Sequence, residues 1–219
     1  MDFEKPIATV DIVIFTLKDG GLNLALWRRD QPPFEGSYAL LGGYVHVNED
    51  ADLHETAQRV LREKASLKDL YLEQLATFSG AARDPRGWSL SVSWLALLPA
   101  TELEKRESVM LVPVDDLPAV LAFDHAAIID AAVQRLRNKS VYSTLPSFLI
   151  GDAFTIAELR DVYQMVLGVE KLDLAGFRKK ILDLRAIEPI EGEMRLGTHR
   201  PAQLYRRSER HLALFNRKI

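Results

Sequence analysis

A short stretch at residues 59–64, Arg-Val-Leu-Arg-Glu-Lys, places a single carboxylate among cations in the middle of a helix-like run. The carboxylate is Glu63, and Lys64 follows it directly. Mg²⁺ requires several oxygen ligands and is repelled by a neighbouring ammonium, so this pair makes a poor metal site. Glu55, Arg59 and Glu63 recur every four residues, which is the spacing of a salt-bridge ladder on a helix surface. These residue types favour a structural role for Glu63 over catalysis.

Four arginines near predicted strand ends and loops have the chemistry to bind a phosphate or a ribose. Arg28 and Arg29 end a strand-like run, and Arg83 and Arg86 lie in a loop before another strand. A guanidinium can donate two parallel hydrogen bonds to a phosphate, but at such a place it can equally form a surface salt bridge. Trp94 lies at the centre of the following strand, where a core role is favoured over stacking on a base.

The C-terminal part contains a predicted helix, residues 172–185, with cations around its apolar face. Small residues near a helix N-terminus allow close approach to a DNA groove, and flanking cations can neutralise phosphates. The apolar face consists of Leu174, Phe177, Ile181 and Leu184. The outward and flanking residues are Ala175, Gly176, Arg178, Lys179 and Lys180.

Residues 187–207 follow this helix and are predicted to form two strands around a glycine-containing loop. Cations at the tip of such a hairpin could contact the DNA backbone or the minor groove. Any single one of them could be a solvated surface cation, but as a set behind two capped helices they favour DNA contact. The candidate residues of the hairpin are Arg195, His199, Arg200 and Arg206.

Charge is distributed unevenly over the 219 residues, whose net charge is -3. Residues 1–138 carry 14 Lys and Arg against 21 Asp and Glu, or -7, whereas residues 139–219 carry 14 against 10, or +4. A basic C-terminal part is compatible with a polyanionic partner. The absence of cysteine excludes disulfides, and the five histidines lack metal-site spacing. The acidic N-terminus and the lack of a long apolar run predict a cytoplasmic protein without a membrane partner.

Strands and helices alternate in the elements that must position these residues. Capping boxes begin two of the helices, at Asp52 with Glu55 and at Thr155 with Glu158, and Gly168 is placed to end the second. Predicted strands cover residues 7–17, 22–30, 70–80 and 89–100, and predicted helices cover 52–65, 123–139, 155–168 and 172–185. This order predicts an α+β protein with a mixed sheet, followed by the helix, turn, helix and hairpin of a winged helix.

The segment 42–67 resembles the Nudix box, G-x5-E-x7-R-E-U-x-E-E-x-G-U, in which U is a bulky aliphatic residue. With Arg59 aligned on the family arginine, the resemblance implies two glutamates that would hold divalent cations against a pyrophosphate. Their positions are Val60 and Lys64 here, and Ser66 replaces the box glycine. The resemblance therefore implies the Nudix α/β/α sandwich without its metal chemistry. Lys64 is then either an exposed helix cation or a substitute for the metal that holds a phosphate without cleaving it.

A Nudix-like domain followed by this module resembles the Nudix-related transcriptional regulators of the NrtR type, over nearly the whole chain. The resemblance implies a ligand-sensing domain at residues 1–138 and a winged-helix DNA-binding domain at residues 139–219. It implies a repressor, often of NAD-biosynthesis genes, that binds a palindromic operator in double-stranded DNA as a homodimer. Its effector would be ADP-ribose or a related nucleotide or sugar metabolite, and no cofactor is required. The ligand-binding residues expected on this basis are Arg28, Arg29, Glu63, Lys64, Arg83 and Arg86.

Two other functions remain open on the sequence alone. An active Nudix hydrolase, similar to an ADP-ribose pyrophosphatase, would hold its metal with Glu63 and one of Glu49, Asp50 or Asp52. Products formed from ADP-ribose and Mg²⁺ would identify it. Alternatively, the C-terminal domain binds a protein rather than DNA. A steep salt dependence of duplex binding would argue against that function.

Overall fold

The computed structural model forms two compact units, which we describe separately. Unit 1 comprises the described parts of residues 1–16 and 23–133, and unit 2 those of residues 17–22 and 134–219. The domain boundary expected after residue 138 stays a prediction. The structure describes residues 5–104, 106, 108–196, 201–208 and 212–215. Among these residues, no helix combines the length and the apolar character needed to cross a bilayer.

A mixed sheet of seven strands forms most of unit 1. The turn between its first two strands, with the adjoining strand ends, is residues 17–22, which are assigned to unit 2. Its main path runs β3-β2-β1-β6-β5, with β4 paired to β1 and β7 paired to β2. The β1–β6 pair is parallel, while the β1–β4, β2–β3, β2–β7 and β5–β6 pairs are antiparallel. The strands are β1 (Ile7–Lys18), β2 (Gly21–Arg28), β3 (Tyr38–Ala39), β4 (Leu41–Tyr44), β5 (Tyr71–Gly80), β6 (Ser89–Leu97) and β7 (Val109–Pro113). The mixed sheet confirms the expected α+β class.

Helix α1 (Leu53–Ala65) carries the stretch that resembles the Nudix box. Its N-cap is Asp52, whose carboxylate accepts from the Glu55 backbone N–H at 2.8 Å. Glu55 in turn accepts from the Ala51 N–H at 2.7 Å, so two N–H groups at the helix start are satisfied. The helix ends where Ser66 adopts a left-handed φ of 49°. The predicted start and end of the helix are therefore confirmed. The predicted capping box is only half formed, because the Glu55 side chain accepts from the Ala51 N–H and not from the Asp52 N–H.

The core of unit 1 lies between α1 and the sheet. Ala57 and Val60 are fully buried and pack with strand residues such as Val10 and Ile12. Trp94 belongs to the same cluster and is 6% exposed, which confirms its expected core role. Helix α2 (His125–Ser140) follows the strands of the sheet, and a short 3₁₀ turn at Ala100–Glu102 precedes β7.

Unit 2 follows the winged-helix order of two helices and a hairpin. Thr155 and Glu158 make both hydrogen bonds of the predicted capping box, and Gly168 ends the helix at φ 66°. The elements are a 3₁₀ turn at Leu145–Leu149, α3 (Ile156–Leu167), α4 (Leu174–Asp183), β8 (Ile187–Arg195) and β9 (Ala202–Arg207). β8 and β9 pair antiparallel.

One core residue predicted for α4 is wrong. Leu174 is 39% exposed, because Asp173 caps the helix and makes Leu174 its first residue, at the edge of the apolar face. Phe177 and Ile181 are buried, as predicted. They belong to the same core cluster as Tyr163 of α3. Leu184, the fourth predicted core residue, is the C-cap of the helix and is only partly buried, so the buried side chains of α4 are those of Phe177 and Ile181.

Candidate functional site

Unit 1 contains a buried ionic network of Asp11, Arg83, Asp124 and His125, of which Arg83 is a predicted ligand residue. Its guanidinium makes two hydrogen bonds to Asp124, at 2.8 and 3.0 Å, and lies 3.6 Å from the Asp11 carboxylate. His125 accepts from the Leu40 N–H at 3.0 Å and places its other ring nitrogen 3.4 Å from Asp11. Burial alone would raise the pKa of Asp11, but His125, and less strongly Arg83, hold that pKa below its usual value. The charge of Arg83 is thus largely matched within the fold.

Arg86, the second predicted arginine of this loop, is also paired. It donates to both carboxylate oxygens of Asp84, at 2.9 and 2.7 Å. The hydrogen bonds from Arg86 hold the pKa of Asp84 below its usual value despite burial. The same guanidinium also donates to the Tyr44 hydroxyl and lies 5.8 Å from the centre of the Phe123 ring. Arg86 is therefore positioned by Asp84 while its face contacts aromatic rings.

Two phenylalanines that the sequence did not single out complete this aromatic and cationic cluster. Phe34 and Phe123 meet edge to face at 4.9 Å between ring centres, and Arg29 lies 4.9 Å over Phe123. Both phenylalanines adopt left-handed φ angles, 63° and 54°, which is uncommon for a bulky residue and is found at binding sites. Phe34 remains 39% exposed. Only the Pro-rich loop around Phe34 signalled its position in the sequence, and no pattern signalled Phe123.

Arg28 and Arg29 hold loop carbonyls rather than carboxylates. Arg28 donates to the Gly36 carbonyl at 3.2 Å, and Arg29 donates to the Pro33 carbonyl at 2.8 Å and the Gln31 carbonyl at 3.3 Å. These bonds fix the direction of each side chain, and neither guanidinium has a carboxylate partner among the residues that the structure describes. Both arginines therefore remain candidates for an anionic ligand.

Helix α1 carries Val60 and Lys64, the two residues that align with the metal-holding glutamates of the Nudix box. Val60 is fully buried, and a Cβ built on Gly43 would lie 2.6 Å from its side chain. Lys64 is exposed, and its ammonium donates to the Gly42 carbonyl at 2.6 Å. Glu63 lies 3.4 Å from Arg59, on the surface. Neither Val60 nor Lys64 can donate a lone pair from a carboxylate, so this face of the helix does not fit a divalent cation.

The salt-bridge ladder expected on α1 is only half present. Arg59 and Glu63 are paired, whereas Glu55 caps the helix start and no Glu55–Arg59 pair is present among the described residues. The main partner of Arg59 is Asp50, which it contacts at 2.7 and 2.8 Å. Both side chains are under 10% exposed, and Arg59 holds the pKa of Asp50 well below its usual value. The sequence offered Asp50 only as a metal ligand.

The carboxylates that an active hydrolase would require are engaged elsewhere. Asp50 is bound by Arg59, by the His46 N–H at 2.9 Å and by the Thr56 hydroxyl at 2.9 Å. Asp52 caps α1, and Glu49 lies 2.9 Å from His46. Among the residues that the structure describes, no group of three or more His, Cys, Asp or Glu side chains could hold a metal ion.

Helix α4 of unit 2 presents its predicted DNA-binding residues to solvent. Gly176, Arg178 and Lys179 are exposed, while Lys180 is half buried. Neither Arg178 nor Lys179 has an ion-pair partner within the described part of the chain. A small cleft beside the helix is lined by Leu172, Asp173, Gly176, Phe177 and Lys180.

The hairpin residues differ, because those that are described carry ion pairs. Arg195 lies 3.3 Å from Glu158 of the α3 capping box, and Arg206 lies 2.6 Å from Glu188 on the neighbouring strand. All four of these side chains are at least 40% exposed, so the pairs are weak and could exchange for phosphates. His199 and Arg200 lie outside the described residues.

Arg207, next in the chain, has a structural role. It donates to the carbonyls of Ser147 and Ile150 at 2.6 and 3.1 Å and contacts Asp152 at 2.9 Å. Burial of the guanidinium is the largest cause of the lowering of its pKa. Arg207 therefore connects β9 to the 3₁₀ turn. In the sequence it is simply one of several basic residues of the hairpin, so its structural role could not be distinguished from the DNA-binding role predicted for its neighbours.

Comparison with known proteins identifies relatives of both parts of the chain. Residues 146–207 match the model of the NrtR DNA-binding winged helix domain. The ADPR responsive transcriptional repressor NtrR of Acinetobacter baylyi is 36% identical over 210 residues, which are 94% of this chain and 83% of the relative. An ADP-ribose pyrophosphatase of Methanocaldococcus jannaschii is 32% identical over 126 residues, 57% of this chain and 71% of that protein.

A solved relative extends the likeness to the fold. Shewanella oneidensis NrtR, in a crystal structure with a 27mer DNA, has a TM-score of 0.88 and 33% identity, covering 97% of this chain and 99% of that one. The NUDIX domain of the same protein, in a cocrystal structure with ADP ribose, has a TM-score of 0.55 and 36% identity. It covers 61% of this chain and 90% of that one.

Proposed function

The chain belongs to the NrtR family of Nudix-related transcriptional regulators, and from that premise we propose that it is a repressor whose unit 2 binds DNA and whose unit 1 binds ADP-ribose. Family membership rests on the relative of 36% identity that the chain matches over 94% of its own length. The observation that carries the DNA-binding part is the exposed face of α4 with Arg178 and Lys179, which have no ion-pair partner among the described residues. It belongs to a winged helix whose solved relative holds a 27mer DNA. DNA phosphates would supply the counter-charge that this face lacks.

Helix α4 is the proposed recognition helix. Gly176 leaves its N-terminal turn free of bulk, and Arg178 and Lys179 extend beside it into solvent. Arg195 and Arg206 would exchange their exposed carboxylate partners for the DNA backbone. The proposed DNA contacts are Gly176, Arg178, Lys179, Lys180, Arg195, His199, Arg200 and Arg206. We also propose that two copies of the chain bind a palindromic operator and thereby control genes of NAD metabolism.

The effector is proposed to bind beside the cluster of Phe34, Phe123, Arg29 and Arg86. An adenine ring could stack on the exposed Phe34, and the cations around it suit the diphosphate of ADP-ribose. The name of the Acinetobacter baylyi repressor and the ADP ribose cocrystal of the Shewanella oneidensis NUDIX domain support this ligand class. Because ADP-ribose would bind the free and the DNA-bound forms with different affinities, it would shift the operator equilibrium.

A binding titration tests this function. Selection of bound duplexes from a random DNA pool would give an operator and its symmetry, and fluorescence anisotropy would then give the affinity with and without ADP-ribose. We expect tight binding that weakens steeply with salt and weakens again when ADP-ribose is added. Unchanged operator affinity up to millimolar ADP-ribose would refute this effector. Absence of any selected sequence would refute the DNA-binding function.

The second candidate function is hydrolysis of ADP-ribose, favoured by the pyrophosphatase relative of 32% identity. We propose that the chain does not turn ADP-ribose over at rates typical of hydrolases, because Val60 and Lys64 replace the metal-holding glutamates and the nearby carboxylates are engaged. Incubation with ADP-ribose and Mg²⁺, followed by product analysis, separates the two functions. Multiple turnovers on the timescale of minutes would favour the hydrolase.

A further inference from the structure

The predicted ligand residues of unit 1 fall into two groups by their partners. Arg83 and Arg86 each have a carboxylate that matches their charge, Asp124 and Asp84 respectively. Arg28, Arg29 and Lys64 instead donate to backbone carbonyls, and none of the three has a carboxylate within ion-pair distance among the residues that the structure describes. The fold itself therefore supplies no carboxylate to these cations among the described residues.

Lys64 and Arg29 both border the buried network of Asp11, Arg83 and Asp124. Lys64 donates to the carbonyl of Gly42, on which a Cβ would lie 2.4 Å from the Asp11 carboxylate. Arg29 lies 4.9 Å from the centre of the Phe123 ring, and Phe123 precedes Asp124 of the same network.

The Lys64 residue is exposed, but desolvation of its ammonium group is the largest cause that lowers the Lys64 pKa. The charges of Arg29 and Arg59 lower this pKa further, while those of Asp11 and Asp30 raise it. Arg59 is already neutralised by Asp50. The repulsion between Arg29 and Lys64 would be relieved by an anion that contacts both.

The backbone beside Lys64 leaves room for such an anion. Lys64 donates one hydrogen bond, to the Gly42 carbonyl at 2.6 Å, and an ammonium has three N–H donors. A Cβ on Gly43 would lie 3.8 Å from the ammonium nitrogen, and one on Gly42 would lie 2.4 Å from the Asp11 carboxylate. The two glycines therefore keep the backbone close to Lys64 without side chains that would cover it.

We propose that Lys64 and Arg29 form a metal-free anion site that binds the diphosphate of the effector, in the place where a Nudix enzyme holds divalent cations. The inference rests on the proposed function for the identity of the effector, but its chemistry concerns any diphosphate. The Lys64 ammonium supplies positive charge without a bound metal, and Val60 closes the helix face behind it with apolar packing against Gly43. Binding then requires no Mg²⁺, and a ligand with a single phosphate forfeits one of the two cation contacts.

Calorimetric titration of the full chain with ADP-ribose, in EDTA and in Mg²⁺, tests the site. Wild-type protein should bind equally well in both conditions. Lys64→Met keeps the length of the side chain and removes the charge, and we expect a loss of about 10- to 100-fold in both conditions. Lys64→Glu should lose as much in EDTA and regain part of the affinity in Mg²⁺, because Glu63 and the new carboxylate could then share a cation.

Arg62→Met is the matched control, since Arg62 is an exposed cation on the same helix with no ion-pair partner in the described chain. Its affinity for ADP-ribose should equal that of the wild type. Wild-type affinity in Lys64→Met would overturn the anion site while leaving ADP-ribose as the effector. A requirement of the wild type for Mg²⁺ would also overturn it.

Titration with inorganic pyrophosphate separates this inference from the proposed effector. If wild-type protein binds pyrophosphate, and Lys64→Met weakens that binding, the anion site stands even where ADP-ribose itself does not bind. That result would refute only the effector. Binding of neither ligand by the wild type would refute the anion site.

Discussion

Helices α1 and α4 both carry cations that the sequence marks for ligand binding, but the two helices use them differently. Six side chains of α1 are buried, including the cation Arg59, whereas only Phe177 and Ile181 are buried on α4. The charge of Arg59 is matched within the fold, while Arg178 and Lys179 extend into solvent.

This difference separates cations that stabilise the fold from cations available to a partner. A buried and paired cation stabilises the structure only while its partner stays ionised, and its removal leaves an uncompensated carboxylate. An exposed and unpaired cation contributes little to stability, and its removal changes only what the protein can bind. Lys64 and Arg29 of unit 1 combine the two situations, because they lie beside a buried network but have no ion-pair partner among the described residues.

The largest expected effect concerns the anchoring of α4. Phe177 is 4% exposed and meets Tyr163 edge to face at 5.0 Å, so Phe177→Ala should lower the free energy of unfolding of unit 2 by about 3–5 kcal/mol. Hydrogen exchange of α3 and α4 amides would measure this loss. Arg178→Ala on the same helix should change it by less than about 0.5 kcal/mol. Equal losses in the two variants would contradict the division between anchor and surface.

The next effect concerns Arg59 and depends on pH. Arg59 holds the pKa of Asp50 below its ordinary value of 3.8, so the pair contributes stability that is complete above about pH 4 to 5 and is lost as the pH falls further. Arg59→Met should therefore destabilise unit 1 strongly at pH 7 and progressively less towards pH 2. Urea unfolding followed by Trp fluorescence reports on unit 1, since all three tryptophans lie there.

Arg62→Met is the control for this experiment because Arg62 is exposed on the same helix. We expect its unfolding curve to match the wild type at every pH. A destabilisation by Arg59→Met that stays constant from pH 7 to pH 2 would mean that packing of the arginine, and not its pair with Asp50, supplies the stability.

The third effect concerns the exposed cations of α4. Arg178→Ala combined with Lys179→Ala should weaken operator binding and reduce the slope of log affinity against log salt by about 0.9 for each lost phosphate contact, or about two in all. The thermal unfolding transition should not move. Anisotropy titrations at four salt concentrations would measure the slope. A fall in affinity without a change in slope would assign these side chains to another role.

Local chemistry could be predicted from the sequence, and long-range pairing could not. The cap of α1 at Asp52 and the capping box at Thr155 depend on residues three positions apart, and both were predicted correctly. The sequence predicts Arg83 as a ligand-binding residue, but its partner Asp124 lies 41 residues away in the chain, and no sequence pattern links the two. An arginine can be found from its type and its place in a loop, whereas its neutralisation depends on the folded chain.

The same limit explains what was missed in the candidate site. Phe34 and Phe123 are far apart in sequence, and only the fold brings their rings to 4.9 Å. Asp50 was considered as a metal ligand because of its type, while its hydrogen bonds to Arg59 and Thr56 give it a structural role. Exposure of the α4 cations was predicted, since helical periodicity alone determines which side faces outward.

The smallest expected effect tests whether Glu63 is a surface residue or a metal ligand. Its pair with Arg59 spans 3.4 Å, and its side chain is 52% exposed, so Glu63→Gln should cost about 0.2–0.5 kcal/mol of stability. If α1 carries no metal, the affinity of this variant for ADP-ribose should match the wild type in both EDTA and Mg²⁺. Paired urea unfolding curves and calorimetric titrations would measure both quantities. A Mg²⁺-dependent loss of affinity in Glu63→Gln would place a cation on this helix and remove the contrast between Glu63 and Lys64, because both would then act on the same ligand.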